Sequence, residues 1–96
     1  MNAKEAENLL KKINSEWIVL EKEGVLQLER TFKFKNFANA IQFVNKTAEI
    51  AESEGHHPNL YVFGWNKVKV ELYTHAIKGL HENDFIIAAK IDEITS

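Results

Sequence analysis

The sequence predicts an α+β fold, a two-layer sandwich in which three helices cover one face of a four-stranded antiparallel sheet. Three segments repeat apolar residues at helical spacing, and two pairs of segments alternate apolar and polar residues as half-buried strands do. Their order along the chain is α-β-β-α-β-β-α, and the strands of each pair are close enough in sequence to form a hairpin. A chain of 96 residues has the usual length of one domain, so residues 1–96 are predicted to fold as a single unit.

The first helix and the first hairpin are predicted from the N-terminal third of the chain. The segment NAKEAENLLKKIN places apolar residues on one helical face, namely Ala3, Ala6, Leu9 or Leu10, and Ile13. In EWIVLEKEGVLQLERTFKF, Gly24 can supply the positive φ of a turn, so the flanking residues are predicted to pair as strands. The second of these strands has an apolar face of Leu26, Leu28, Phe32 and Phe34 and a polar face of Gln27, Glu29 and Lys33.

The second helix is predicted to begin after an N-cap at Asn36 and to end at Gly55, which suits the left-handed residue of a helix end. The stripe expected to face the core contains Phe37, Ala40, Ile41, Val44, Ala48 and Ala51. Phe43 and Ile50 fall on a second line that one core does not explain. We expect this second line to pack on a partner, which together with the open face of the sheet predicts self-association.

The C-terminal half is predicted to hold two more strands and the third helix. LYVFGW and NKVKVELYTH alternate, with Val68, Val70 and Leu72 on one face and Lys69, Glu71, Tyr73 and His75 on the other. Strict alternation directs His75 away from the helix-covered face, and a bulge would redirect it. The segment GLHENDFIIAAKIDEI opens the third helix, where Asp84 can cap the first free amides.

Composition excludes several classes of function. The net charge is -2, the pI is about 6.1, and lysines alternate with glutamates, so the chain lacks the basic patch of a nucleic-acid-binding protein. No apolar run approaches the ~18 residues of a membrane span, and the polar N-terminus does not resemble a signal peptide, so we expect a cytoplasmic protein. The chain has no cysteine, which leaves acid/base chemistry to the other polar residues.

The histidines allow three interpretations. Pro58 favours an extended backbone at His57, so the side chains of His56 and His57 should point in opposite directions. One of them could join His75 and an acid as zinc ligands, but the spacing matches no common metal motif. Scattered histidines are more often exposed or hydrogen-bonded structural residues. Acid/base catalysis is the third interpretation, because histidine titrates near neutral pH. Trp65 is interpreted as a core residue in preference to a pocket wall.

Taken together, these residues form an ordered pattern. An acid, three residues, His-His-Pro, six residues, an aromatic residue, nine residues, His, eight residues and Asp are matched by Glu52, His56-His57-Pro58, Trp65, His75 and Asp84. The pattern resembles the pterin-4a-carbinolamine dehydratase family, whose mammalian member is also a dimerisation cofactor of a homeodomain transcription factor. The resemblance covers essentially the whole chain and includes the order of the elements, and it implies assembly as a homodimer or homotetramer.

The resemblance implies dehydration of 4a-hydroxytetrahydropterin, in tetrahydrobiopterin recycling, without a metal or organic cofactor. It implies that His56 and His75 are the acid/base pair, with His57 as the third histidine of the site, chiefly holding the pterin. Glu52 would bind the amide-like edge of the ring or orient a histidine, and Pro58 would set the geometry of the histidine pair. Asp84 would fix His75 or its neighbourhood, and Trp65 would shape the pocket.

Three positions depart from the family pattern. Gly55 and Asn83 stand where relatives carry a polar and a basic residue, which removes two expected ring or side-chain contacts. His81 stands where relatives carry a Ser or Thr cap, so it either weakens the cap or adds a fourth histidine near Asp84.

Two other functions compete with the dehydratase. The same sandwich could be a non-catalytic dimerisation platform or partner-binding scaffold, but a scaffold does not require all of His56, His57, His75 and Asp84. The second competing function is a metal-assisted hydrolase built on the histidines. A metal analysis of the purified protein would test it.

Overall fold

A computed structural model describes residues 1–95 and has the predicted order of elements. The elements are α1 (Ala3–Leu10), β1 (Ile18–Lys22), β2 (Val25–Lys33), α2 (Phe37–Glu54), β3 (Asn59–Phe63), β4 (Lys67–Leu72) and α3 (Glu82–Thr95), with a short 3₁₀ helix at His75–Ile77. The predicted α+β class is confirmed. No helix within residues 1–95 is both long and apolar enough to cross a membrane.

Local capping explains where the first two helices begin and where the second ends. Asn2 and Glu5 form a reciprocal capping box at the start of α1. At the start of α2, the side chain of Asn36 accepts a hydrogen bond from the backbone N–H of Asn39 at 2.7 Å. The helix ends at Gly55, which has a φ of 63° and donates its N–H to the carbonyl of Ala51. The predicted bounds of α2 are therefore confirmed.

The four strands form one antiparallel sheet in the order β1-β2-β4-β3. The turn between β1 and β2 contains Glu23 and Gly24, both with positive φ, as tight hairpins require. In β4, Val68, Val70 and Leu72 are buried, and the predicted apolar face of β2 packs in the same core. The helices cover this face, whereas the opposite face of the sheet carries the polar side chains.

The buried line of α2 differs from the predicted one. Phe37 is 54% exposed, although we expected it in the core, and Phe43 is 4% exposed, although we expected it on a partner. The ring of Phe43 packs 4.7 Å from that of Phe32. The reason is the phase of the helix, since the buried positions are Ala40, Phe43, Thr47 and Ala51. Thr47 is polar, so a pattern built on apolar residues alone omits it and places the buried stripe of α2 on the wrong side of this residue.

The two tryptophans have different environments. Trp17 is 1% exposed and donates its Nε1–H to Asp92 at 2.8 Å, so it belongs to the core. Trp65 is 63% exposed and has a φ of 57°, so the interpretation of Trp65 as a core residue is wrong. The strand ends at Phe63, and Trp65 lies in the turn that joins β3 to β4. No helix packs over the tip of this hairpin, so a side chain in the turn stays exposed.

Candidate active site

The β3–β4 hairpin brings the histidine segments to one end of the sheet. His56, His57 and Pro58 directly precede β3, and Thr74 and His75 follow β4. Because Asn59 pairs with Glu71 at the open end of the hairpin, the entry of one strand lies beside the exit of the other. The first turn of α3 reaches the same region, since the side chain of Asp84 contacts both segments.

Asp84 is the buried centre of this region. It is 0% exposed, and its carboxylate accepts three hydrogen bonds. The ring Nε2 of His56 lies 2.5 Å from Oδ1, the hydroxyl of Thr74 donates to Oδ2 at 2.9 Å, and the backbone N–H of His81 donates to Oδ2 at 3.0 Å. A buried carboxylate needs such partners, because an unpaired one would be strongly destabilising.

The contact with Asp84 determines which nitrogen of the His56 ring faces the carboxylate. An ionised carboxylate only accepts hydrogen bonds, so the proton of this contact belongs to Nε2 of the ring. Nδ1 is then the nitrogen that can accept a proton. The side chain of His56 is 17% exposed, so the ring is held in place but remains within reach of a ligand.

Asp84 also caps α3, as predicted. The carboxylate accepts from the backbone of His81, and the ring Nδ1 of His81 accepts from the backbone N–H of Asn83 at 3.1 Å. The two contacts are a reciprocal cap in which a histidine ring replaces the usual hydroxyl. His81 therefore keeps the cap through its ring and meets Asp84 through its backbone.

His57 and Glu52 form a separate, exposed pair. The ring Nε2 of His57 lies 2.5 Å from a carboxylate oxygen of Glu52, and both side chains are mostly exposed. His56 meets the buried Asp84 whereas His57 meets a surface acid, as expected for consecutive residues in extended backbone. Exposed pairs of this kind stabilise a fold by about 0–1 kcal/mol, so this one matters more for the placement of the His57 ring.

His75 lies just beyond the strand in which we expected it. β4 ends at Leu72, and His75 begins the short 3₁₀ helix. The loop is closed by a backbone hydrogen bond from Thr74 to Gly79 at 2.7 Å, and Lys78 has a left-handed φ of 50°. The ring of His75 lies 4.3 Å from the ring of Tyr73, centroid to centroid. Thr74 lies between Tyr73 and His75 in sequence, and in this segment it is the residue that donates a hydrogen bond to Asp84.

The structure therefore gathers most, but not all, of the predicted residues. Asp84 was expected to fix His75 or its neighbourhood, and it does so through Thr74 while also holding His56. Trp65 lies at the opposite end of the hairpin, separated from Asn59 by the length of β3, about 13 Å at ~3.3 Å per residue. One chain alone does not bring Trp65 to the histidines. Within residues 1–95, no group of three or more His, Asp or Glu side chains is placed to hold a metal ion.

Thr74 and Tyr73 were not predicted as site residues. Thr74 contributes a hydroxyl to Asp84, and Tyr73 contributes a ring beside His75. The only signal in the sequence was their position directly before His75. The partners of both residues depend on how the loop after β4 closes.

Comparison with known proteins assigns this geometry to a family. The sequence profile of the family described as Pterin 4 alpha carbinolamine dehydratase matches residues 1–94. The chain belongs to this family. The resemblance inferred from the histidine pattern is thereby confirmed.

Relatives in this family come from plants and bacteria. The chain is 48% identical over 94 residues to "Pterin-4-alpha-carbinolamine dehydratase 2, mitochondrial" of Arabidopsis thaliana, covering 98% of this chain and 50% of the plant protein. It therefore spans about half the length of that relative. It is 52% identical to a putative pterin-4-alpha-carbinolamine dehydratase of Chlorobium luteolum, covering 95% of this chain and 78% of that protein.

Two solved structures share the fold. A transcriptional coactivator/pterin dehydratase from Brucella melitensis superposes with a TM-score of 0.87 at 31% identity, covering 100% of this chain and 98% of the other. A pterin dehydratase-like protein identified as a RuBisCO assembly factor in the alpha-carboxysome superposes with a TM-score of 0.70 at 26% identity, covering 84% and 90%. Members of one fold are thus described with different roles, so the function of this chain has to be argued from its own site.

Proposed function

We propose that this protein dehydrates 4a-hydroxytetrahydrobiopterin to quinonoid dihydropterin and water, in tetrahydrobiopterin recycling, by histidine general acid/base catalysis. Family membership supports the reaction class. The observation that carries the finer proposal is the buried carboxylate of Asp84, which holds the ring of His56 and, through Thr74, the segment that carries His75. The carboxylate thus contacts the ring of His56 and the residue directly before His75 in sequence, which supports a joint role for the two histidines.

The reaction requires two proton transfers and no change of oxidation state overall. The lone pair of N5 forms a double bond to C4a while the 4a-hydroxyl leaves. The leaving oxygen takes one proton and departs as water, and N5 loses one proton. An acid and a base that exchange roles therefore regenerate the enzyme, and each well-placed transfer contributes on the order of 10²- to 10⁴-fold to the rate.

We assign these transfers to His56 and His75. Asp84 is a positioning residue, since it acts through His56 by keeping the proton on Nε2 and leaving Nδ1 for the substrate. Thr74 positions Asp84 from the other side.

The remaining residues are proposed to bind the pterin. His57, paired with Glu52, is assigned to hold the pterin ring. Glu52 can also accept hydrogen bonds from the amide-like edge of the pterin. Pro58 keeps the backbone between the histidines and β3 extended. Trp65 remains a predicted site residue. Because it lies far from the histidines of its own chain, it would have to contribute to the site of a second subunit.

Self-association as a homodimer or homotetramer also stays a proposal. Its support is the edge strand β3, where Tyr61, Val62 and Phe63 are each at least 39% exposed. A monomeric mass by light scattering at micromolar concentration would contradict it. A cytoplasmic location is likewise proposed, and cell fractionation would test it.

The test is a direct assay of dehydration. A pterin-dependent hydroxylase generates the carbinolamine in situ, and its decay is followed by ultraviolet absorbance with and without the protein. We expect acceleration by the wild type and a loss of about 10²-fold or more in kcat for His56→Ala and for His75→Ala. His81→Ser is the matched control, because it removes a histidine but keeps an N-cap. No acceleration by folded wild-type protein would refute the dehydratase and favour the scaffold alternative.

A further inference from the structure

The two histidines assigned to proton transfer are held in different ways. The ring of His56 is fixed by its hydrogen bond to Asp84. The ring of His75 makes no hydrogen bond to another side chain within residues 1–95, and it lies against the ring of Tyr73. The orientation of His75 therefore depends on an aromatic neighbour, whereas that of His56 depends on a carboxylate.

The backbone on either side of His75 is already fixed. The N–H of Thr74 donates to the carbonyl of Gly79 at 2.7 Å, and the N–H of Lys78 donates to the carbonyl of His75 at 3.2 Å. These bonds close the loop after β4 and determine where the side chain of His75 starts. That side chain is exposed, so rotation about its own χ1 and χ2 is the freedom that is left to restrict.

Tyr73 is placed to restrict this rotation. It directly follows β4, is half-buried and packs against the core, so its own ring is anchored. It lies two residues after Glu71 and lines a cleft with it on the face of the sheet that the helices leave uncovered. The centroids of the Tyr73 and His75 rings are 4.3 Å apart, with 43° between the ring planes. The imidazole therefore rests against an anchored aromatic wall.

An aromatic wall leaves the nitrogens of the imidazole free. A carboxylate partner commits one ring nitrogen to a hydrogen bond, as Asp84 does for His56. A packed aromatic ring restricts the imidazole through its face and leaves both Nδ1 and Nε2 available. His75 can then take up a proton at either nitrogen, which suits a residue that alternates between acid and base.

We propose that Tyr73 is a positioning residue for the dehydration and that its ring holds the imidazole of His75 in the orientation that proton transfer requires. The inference rests on the proposed dehydratase function and adds to it a residue outside the pattern of acids and histidines. The hydroxyl of Tyr73 makes no hydrogen bond within residues 1–95, so the role is assigned to the ring alone.

The test replaces the ring and measures dehydration by the same ultraviolet assay. The side chain in Tyr73→Val suits the end of a strand but is too short to hold His75. A freed imidazole has roughly three χ1 wells and two orientations about χ2, so we expect kcat to fall about 6-fold. KM should change by less than about 2-fold, because the residues assigned to bind the pterin are untouched.

Two variants at the same position complete the series. Tyr73→Phe is the matched control, since it keeps the ring and should keep the wild-type kcat. Tyr73→Leu retains more of the apolar volume that packs against the core, and its kcat should fall in the same direction as that of Tyr73→Val. Urea unfolding of each variant confirms that the measured rates belong to folded protein.

Two further measurements show whether Tyr73 acts through His75. In protein that already carries His75→Ala, Tyr73→Val should lower kcat no further, because no imidazole is left to position. In proton NMR, the ring current of Tyr73 should displace the carbon-bound ring protons of His75, which are identified by their absence from the spectrum of His75→Ala. The displacement should persist in Tyr73→Phe and disappear in Tyr73→Val.

The outcomes separate this inference from the function beneath it. If the wild type accelerates dehydration and folded Tyr73→Val and Tyr73→Leu keep its kcat, the inference is wrong and the dehydratase stands. A loss of kcat that recurs undiminished in the His75→Ala background, or that appears equally in Tyr73→Phe, would also overturn the inference. If the wild type accelerates nothing, the proposed function fails and the positioning role falls with it.

Discussion

Replacing Asp84 with asparagine tests how the buried carboxylate controls His56. An amide has one accepting oxygen, whereas Asp84 accepts at Oδ1 from His56 and at Oδ2 from Thr74 and the backbone of His81. The arrangement that keeps two of these bonds puts the amide oxygen at the Oδ2 position. The NH₂ group then faces Nε2 of His56, which must become an acceptor, and the ring proton moves to Nδ1. The nitrogen assigned to proton transfer would be blocked.

The expected magnitudes follow from these contacts. A hydrogen bond to a charged group contributes about 1.5–3 kcal/mol and a neutral one about 0.5–1.5 kcal/mol, so weakening three bonds lowers the free energy of unfolding by about 3 kcal/mol. Asp84 is fully buried, so solvent screening does not reduce this value. The wrong tautomer should lower kcat by about 10²-fold, the lower end of what one acid/base transfer contributes.

The assay needs both activity and stability, because a destabilised enzyme also loses rate. Urea unfolding followed by tryptophan fluorescence gives the stability, and the dehydration assay on folded protein gives kcat. Asp92→Asn is the matched control, since Asp92 also lies on α3 and accepts from Trp17, Arg30 and the backbone of Asn14. It should be destabilised while keeping the wild-type kcat. A folded Asp84→Asn protein with wild-type kcat, or an equal loss in Asp92→Asn, would refute the reasoning.

Two further predictions concern stability. Phe43→Ala should lower the free energy of unfolding by about 3–5 kcal/mol, whereas Phe37→Ala on the same helix should change it by less than about 0.5 kcal/mol, because only Phe43 is buried; similar urea midpoints for the two variants would contradict the observed phase of α2. The pKa of Glu71 lies below its ordinary 4.5 because hydrogen bonds from Lys22 and Tyr61 outweigh the opposing effect of burial, so its stabilisation is complete above that pH and is lost as the pH falls through the lowered value. The urea midpoint of Glu71→Gln should therefore fall less than that of the wild type between pH 7 and pH 3, and parallel losses would contradict the lowered pKa.

Much of the fold could be predicted because its signals are local. Asn36 and Gly55 set the ends of α2 through contacts within a few residues, and the alternation of Val68, Val70 and Leu72 determines which face of β4 is buried. The phase of α2 could not be predicted in full, because the burial of Thr47 depends on neighbours that the helix meets only in the folded chain.

The candidate site shows the same division. The order of the acid, the histidine pair, His75 and Asp84 was enough to identify the family, and the cap formed by Asp84 with His81 involves residues close in sequence. The contact between Asp84 and His56 spans 28 positions and was not predicted. It exists because the end of α2 and the start of α3 meet at the same end of the sheet.

By itself, then, the sequence determined the class and order of the elements, the family, and the kinds of side chain available for proton transfer. These depend on backbone preferences and spacing that act over a few residues. Only the tertiary structure decided that Asp84 contacts the ring of His56 and the hydroxyl of Thr74, and that Trp65 lies at the far end of the hairpin. Those relations depend on where packing brings distant segments, which no local preference specifies.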